Sequence, residues 1–148
     1  MRHVLAATSA LVCLGCLPIR HAVFDATPIP RGAEVTLECE GALEAPLADA
    51  LREAGLVVVS GDALLGSVSR SSPPGGGTRE VVQRYRTPFV CRVTAEAGPG
   101  ERRVHRFHLE FLEAQRGHLR FTLSSPPDST SGHGLDEVVS RLKAALKP

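Results

Sequence analysis

Two stretches near the end of the chain constrain its fold most strongly. Val104–Glu113 and His118–Ser124 largely alternate polar and apolar side chains, which is typical of strands buried on one face. The residues between them end in Gly117, which can adopt the positive φ of a hairpin turn. If Glu110 lies opposite Arg120, the hairpin forms three apolar cross-strand pairs: Phe107–Leu123, Leu109–Phe121 and Phe111–Leu119. We therefore predict an antiparallel hairpin with one buried face.

The middle of the chain changes between strand and helix periods. Glu34–Glu40 alternates and predicts a half-buried strand. Leu43–Ala54 has leucines four positions apart, which indicates a helix with one apolar face, and Gly55 predicts a Schellman ending for it. The apolar run Leu56–Ser60 predicts a strand that is buried on both faces or lies at the centre of the sheet.

Two further strands and a final helix complete the pattern. Glu80–Arg86 and Phe89–Glu96 are strand-like segments separated by Pro88. From Leu135 the apolar spacing is helical, with acidic residues at the start and lysines at the end, as the helix dipole favours. Because both helices need an apolar face to cover, the sequence predicts an α+β fold. We expect a two-layer sandwich whose mostly antiparallel sheet of four to five strands carries two helices on one face.

The N-terminal stretch Met1–Cys16 predicts export. Arg2 and His3 give it a positive start, and an uncharged apolar run follows from Val4 to Leu14. This order is typical of a secretory signal, and the run is shorter than the roughly 20 residues that a membrane-spanning helix needs. An uncleaved N-terminal segment is an alternative.

The end of this leader, Gly15-Cys16, resembles the lipobox of bacterial lipoproteins. The resemblance implies that Cys16 becomes the mature N-terminus and carries fatty acyl chains such as palmitate. It also implies a cell-envelope location, expected on the periplasmic side of the outer membrane, with plain secretion as the alternative. In its element order the chain is similar to small outer-membrane lipoproteins of the type that helps assemble lipopolysaccharide.

These patterns divide the chain into three parts. Residues 1–15 are the expected signal peptide, 16–33 an extended proline-containing tether, and 34–148 a single α+β domain. Within the tether, Val23 and Phe24 are the residues expected to dock on the domain. In the domain, Cys39 and Cys91 form an even pair in an exported chain, which predicts a disulfide. Two buried free thiols are the alternative.

No residue pattern predicts catalysis, a cofactor or a metal site. His105 and His108 are three apart on a predicted strand, so their side chains point to opposite faces and cannot share a metal. The glycine-rich stretch Ser69–Thr78 lacks the Lys-Ser/Thr that a phosphate-binding loop requires. The formal net charge is only +1, so no global field exists to attract nucleic acid.

The parity of the predicted strands gathers arginines on the outward face of the sheet. The five residues are Arg84, Arg86, Arg92, Arg106 and Arg120. We expect a non-catalytic, envelope-anchored accessory in binding or assembly that contacts an anionic lipid, a glycan or an envelope protein through this face. A solvated face without a ligand, on a structural lipoprotein, is the alternative. An exported hydrolase without a recognisable motif is a further one.

Overall fold

The fold is a mixed α+β arrangement of a six-stranded sheet and two helices, described from a computed structural model. The structure describes residues 18–59, 85–96, 102–127 and 132–147, so the leader, Cys16 and Arg84 lie outside the described residues. The strands are β1 Arg20–Val23, β2 Glu34–Glu38, β3 Val57–Val59, β4 Phe89–Glu96, β5 Arg103–Val104, β6 Arg106–Glu113, β7 His118–Ser124 and β8 His133–Gly134. The helices are α1 Glu44–Glu53 and α2 Leu135–Leu146. No helix in the described ranges is long and apolar enough to span a bilayer.

The strand order is β1-β7-β6-β4-β2-β3, with β5 and β8 forming a separate two-stranded sheet. Strands β1, β7, β6 and β4 pair antiparallel, whereas β2 pairs in parallel with both β3 and β4. The sheet is therefore mixed and larger than the predicted one of four to five mostly antiparallel strands. The parallel pair β2–β3 has a simple cause, because a helix that connects two adjacent strands returns the chain in the same direction.

The predicted hairpin is present, but its register is different. Leu109 lies opposite Leu123 and Phe111 opposite Phe121, and the register then shifts between Phe111 and Leu112. The turn after β6 places Glu113 opposite His118, and Gly117 in that turn has the expected positive φ of 64°. Arg120 is consequently an extra residue in a β-bulge. The expected pair of Glu110 with Arg120 does not form, and Glu110 lies opposite Thr122 instead.

One apolar core lies between the sheet and both helices. Its buried members come from α1, α2 and the inward positions of the strands, and they include Leu43, Leu47, Leu51, Val93, Leu109, Phe111, Phe121, Leu123, Val138 and Leu142. The rings of Phe89, Phe111 and Phe121 stack in series, with centroid separations of 5.6 and 5.1 Å. The predicted apolar faces of both helices are thus confirmed.

The predicted end of α1 is also confirmed. Gly55 has a φ of 86°, and its N–H donates to the carbonyl of Arg52 at 2.9 Å. The N–H of the buried Leu56 donates to the carbonyl of Leu51 at 3.0 Å. These two bonds are the pair that defines a Schellman motif.

Three local expectations are wrong. The segment 16–33 is not simply a tether, because it contributes edge strand β1 and the core residue Ile19, which is 5% exposed. Val23 and Phe24, which we expected to dock, are 56% and 62% exposed. Similarly, β3 lies at the other edge of the sheet and not at its centre, and Val57 is 49% exposed.

A second, smaller cluster covers part of the opposite face of the sheet. Tyr85, Val90 and Ala114 are buried there, with Leu112 packed against them. Tyr85 therefore lies on the opposite face from Phe89. The hydroxyl groups of Thr36 and Thr87 hydrogen-bond beside this cluster at 2.7 Å, which satisfies two buried polar groups.

Candidate functional site

The five arginines predicted to form one basic face do not do so. Arg84 lies outside the described residues, and only Arg86 and Arg106 are fully exposed. Arg92 is half-buried and ion-paired, and Arg120 is buried at 5% exposure. Arg92 does point to the predicted outward face but is ion-paired there, whereas the predicted placement is wrong for Arg120.

The outward side of the central strands is balanced in charge. Across β4 and β6, Arg92 lies opposite Glu110 and Glu96 lies opposite Arg106. The charged residues that point outward from β2, β4 and β6 are Glu34, Glu38, Glu96, Glu110, Arg92 and Arg106. Because carboxylates outnumber guanidinium groups here, this face as a whole does not attract anions.

Arg92 is the centre of a hydrogen-bonded network on that face. Its Nε donates to Glu38 at 2.9 Å, and its Nη2 donates to the hydroxyl of Tyr85 at 2.9 Å. The Tyr85 hydroxyl donates to the other oxygen of Glu38 at 2.6 Å, and Glu110 lies 3.7 Å from Arg92 Nη1. The bonds to Glu38 raise the pKa of Arg92, and burial raises that of Tyr85, so both keep their protons. The sequence gives no signal for this network because Tyr85 and Glu38 are 47 positions apart.

An acidic groove of about 630 Å³ runs beside this network, along the carboxyl ends of β2 and β4. Three glutamates line it, Glu38, Glu40 and Glu44, with Arg92 as the one basic lining residue. Since Arg92 is already ion-paired, the groove does not suit an anionic partner.

Cys39 and Cys91 are both free thiols in the structure, which contradicts the predicted disulfide. The parallel register places Cys91 opposite Leu37, and Cys39 lies beyond the end of β2, where its thiol faces the carbonyl of Glu40 at 3.8 Å. The alternative of two buried free thiols is correct in that both are free, but only Cys91 is fully buried and Cys39 is partly buried. Burial raises the pKa of Cys39 to about 11 and also raises that of Cys91.

Four of the exposed arginines belong to one corner of the structure. We name Arg20, Arg102, Arg103 and Arg106 the basic corner. Arg20 lies opposite Ser124, and Ser124 lies opposite His108 two residues from Arg106, so the register joins β1 to the start of β6. Two strand spacings separate Arg20 from His108, about 10 Å. Sequence reasoning missed Arg20 because it assigned β1 to a tether.

The basic corner has acidic neighbours, but most of its charges form no ion pair within the part of the chain that the structure describes. Glu96 lies opposite Arg106, and Asp136 and Glu137 begin α2 on the helix side of the sheet. Among the described residues Glu137 pairs with His133, and Arg20, Arg102 and Arg106 form no ion pair. The fourth member, Arg103, donates to the carbonyl of Gly132 at 2.9 Å. Three exposed guanidinium groups are therefore available to a ligand.

Comparison with known proteins gives a structural likeness alone. No protein-family model and no curated protein matches the sequence. Among solved structures, the chain is similar to the PelC dodecamer from Paraburkholderia phytofirmans, with 16% identity and a TM-score of 0.43. A single-residue variant of the same PelC dodecamer gives 16% identity and a TM-score of 0.41. Each alignment covers 86% of this chain and 92% of the other.

Proposed function

We propose that this chain is an envelope-anchored lipoprotein that acts as a non-catalytic accessory in binding or assembly. It contacts an anionic envelope component, a phosphate-bearing lipid or glycan, through the basic corner. The lipobox-like Gly15-Cys16 supports the anchor, and the location that it implies is the periplasmic side of the outer membrane. The unpaired arginines support the choice of partner, since guanidinium groups bind phosphate oxygens in a bidentate manner.

The observation that carries this proposal is the short distance in sequence between Cys16 and the core. Ile19 is buried and Arg20 begins β1, so only three residue steps separate the expected acylated residue from the folded domain. A chain of three residues spans at most about 11 Å. An acyl chain on Cys16 therefore holds the corner that contains Arg20 against the headgroup region, and not at the end of a long tether.

The expected acyl anchor on Cys16 and the basic corner strengthen each other's binding to the membrane. Membrane anchoring by an acyl chain is strengthened by a nearby basic patch, and each arginine near an anionic surface contributes about 1 kcal/mol. At physiological salt this attraction decays over a distance of about 8–10 Å. It therefore requires that the anchor hold the basic corner close to the membrane surface. Acidic Glu40 and Glu44 lie on the other half of the same sheet end, and their repulsion favours contact through the β1 and β6 side.

Vesicle flotation with a non-acylated form tests this proposal. The chain is produced from residue 17, which keeps every described residue, and is mixed with neutral phosphatidylcholine vesicles or with vesicles that contain phosphatidylglycerol. We expect binding to the anionic vesicles alone, and weaker binding as salt rises. The double variant Arg20→Glu, Arg106→Glu should lower the affinity about tenfold or more, because two favourable contacts become repulsive.

The matched control changes the same charge at the opposite end of the sheet. Arg86 precedes β4 and Arg116 lies in the β6–β7 turn, and both are exposed. Arg86→Glu, Arg116→Glu alters the net charge equally and should bind almost as the unchanged protein does. An equal loss in both double variants would mean that only net charge matters. No binding by the unchanged protein would favour a structural lipoprotein without a ligand.

A further inference from the structure

A cavity of about 280 Å³ lies between the β1–β7 edge of the sheet and the last turn of α2. Its walls are mainly apolar and include Val23, Ile29, Phe121, Ala145 and Leu146. Three charged side chains, Arg120, Asp25 and Lys147, also line it, together with His21 and Thr27. The volume is at the lower end of the range for small-molecule sites, which suits a short ligand.

The β-bulge in the β6–β7 hairpin brings Arg120 to this cavity. Because Arg120 is the extra residue of the bulge, its side chain turns from the outward face toward the side that carries Phe121. Its backbone carbonyl accepts hydrogen bonds from the N–H groups of Phe24 and Asp25, which fixes the chain around the cavity mouth. Bulges frequently redirect a side chain next to a functional site.

The guanidinium group of Arg120 is buried but incompletely bonded. Its Nη1 lies 3.3 Å from Asp25 Oδ2, and its Nη2 donates to the carbonyl of Thr27. Its Nε is buried and has no hydrogen-bond partner among the described residues. A buried donor without an acceptor costs about 1–3 kcal/mol, so an acceptor that enters here is favoured.

The Asp25 carboxylate would compete with such an acceptor for the guanidinium group of Arg120. Hydrogen bonds from Thr27, and more weakly the charge of Arg120, lower the pKa of Asp25. Its side chain is 38% exposed and lies in a segment outside the strands, so it can move aside. Most of the remaining wall is apolar, which favours a hydrocarbon chain over a sugar for the rest of a ligand.

We propose that this cavity binds a short aliphatic carboxylate. The carboxylate accepts a hydrogen bond from Arg120 Nε and shares the guanidinium charge with Asp25, while the alkyl chain lies against Ile29, Ala145 and Leu146. No bond is made or broken, so the site is a binding site and not a catalytic one. It is separate from the basic corner and does not depend on it.

Isothermal titration of the chain from residue 17 with octanoate tests the proposal, with 1-octanol as the neutral probe of similar shape. We expect octanoate to bind at least about tenfold more tightly than octanol, because only the anion satisfies the buried donor. Arg120→Met should remove this preference. Asp25→Asn should tighten octanoate binding, since it removes a competing negative charge, and a purely structural ion pair would not give that result.

A cavity-filling variant keeps the test decisive if Arg120→Met does not fold. Ala145→Leu adds apolar volume to the wall without touching the ion pair and should weaken both probes. Equal binding of octanoate and octanol would overturn the proposal, because the cavity would then select for apolar volume alone. Absence of octanoate binding to the folded, unchanged chain and to Asp25→Asn would overturn it as well.

Discussion

Tyr85 joins two parts of the chain through a single hydroxyl group. The hydroxyl donates to Glu38 and accepts from Arg92, and both partners carry charge. Hydrogen bonds to charged groups contribute more to stability than neutral ones, about 1.5–3 kcal/mol each, and less where solvent reaches the pair. The network therefore fastens the segment before β4 to the β2–β4 pair.

Tyr85→Phe tests this role because it removes only the hydroxyl and keeps the buried ring. We expect the free energy of unfolding to fall by about 1–2 kcal/mol, measured by urea denaturation. Thr94→Val is a suitable control, since the Thr94 hydroxyl is exposed and its bond to the carbonyl of His108 is long, at 3.4 Å. Equal small losses in both variants would contradict a special role for the network.

The two thiols should respond differently to alkylation. Cys91 is fully buried and should react with iodoacetamide only after unfolding. Cys39 should react slowly in the native protein, and its rate should keep rising up to a pH of about 11, because burial raises its thiol pKa to that value. An ordinary thiol would level off near pH 8.5–9. Rapid labelling of both thiols at neutral pH, or none in the denatured chain, would contradict the structure.

Among the elements, those with a local cause could be predicted from the sequence. The helices α1 and α2 follow from leucine spacing, and the Gly55 ending follows from its flanking residues. The hairpin strands β6 and β7 were also predicted within a few residues. The formation of each of these elements depends mainly on residues close in sequence, so the local pattern of apolar and polar residues is enough to predict it.

Elements that depend on distant pairing could not be predicted in this way. Strand β1 has no alternating pattern, since all four of its residues are exposed, and only the edge of β7 makes it a strand. The bulge at Arg120 lies between the β6–β7 turn and the cross-strand pair of the stacked Phe111 and Phe121. One such shift moves a side chain to the other face, which is why the parity argument misplaced Arg120.

Gly55→Ala tests the element that ends α1. The substitution forces an alanine into a φ of 86°, and we expect it to lower the free energy of unfolding by about 1–2 kcal/mol. The added Cβ would meet only the flexible Arg31 side chain at 3.5 Å, so backbone strain is the cause. Gly134→Ala is the matched control, because its φ is −65° and its Cβ would meet nothing within 4 Å. A thermal or urea midpoint that falls equally for both would contradict the assignment.

For the whole molecule, the proposed lipid anchor and the basic corner together imply one orientation of the domain at the membrane. Ile19, the first buried residue in the described ranges, follows closely on Cys16, and the register gathers Arg20 and Arg106 at that corner. With a lipid anchor at Cys16, as we propose, the far end of the sheet, with the β6–β7 turn, would point away from the membrane. If Cys16 carries lipid, the domain has little freedom to adopt another orientation.

Energy transfer from a single tryptophan to dansyl-labelled lipid headgroups tests this orientation most directly, because the chain has no tryptophan of its own. The acylated protein is reconstituted into vesicles with either His108→Trp or Gln115→Trp; both positions are exposed and lie at least about 17 Å apart along β6. The account predicts strong transfer from position 108 and weak transfer from position 115. Equal transfer from both positions, or stronger transfer from position 115, would contradict it.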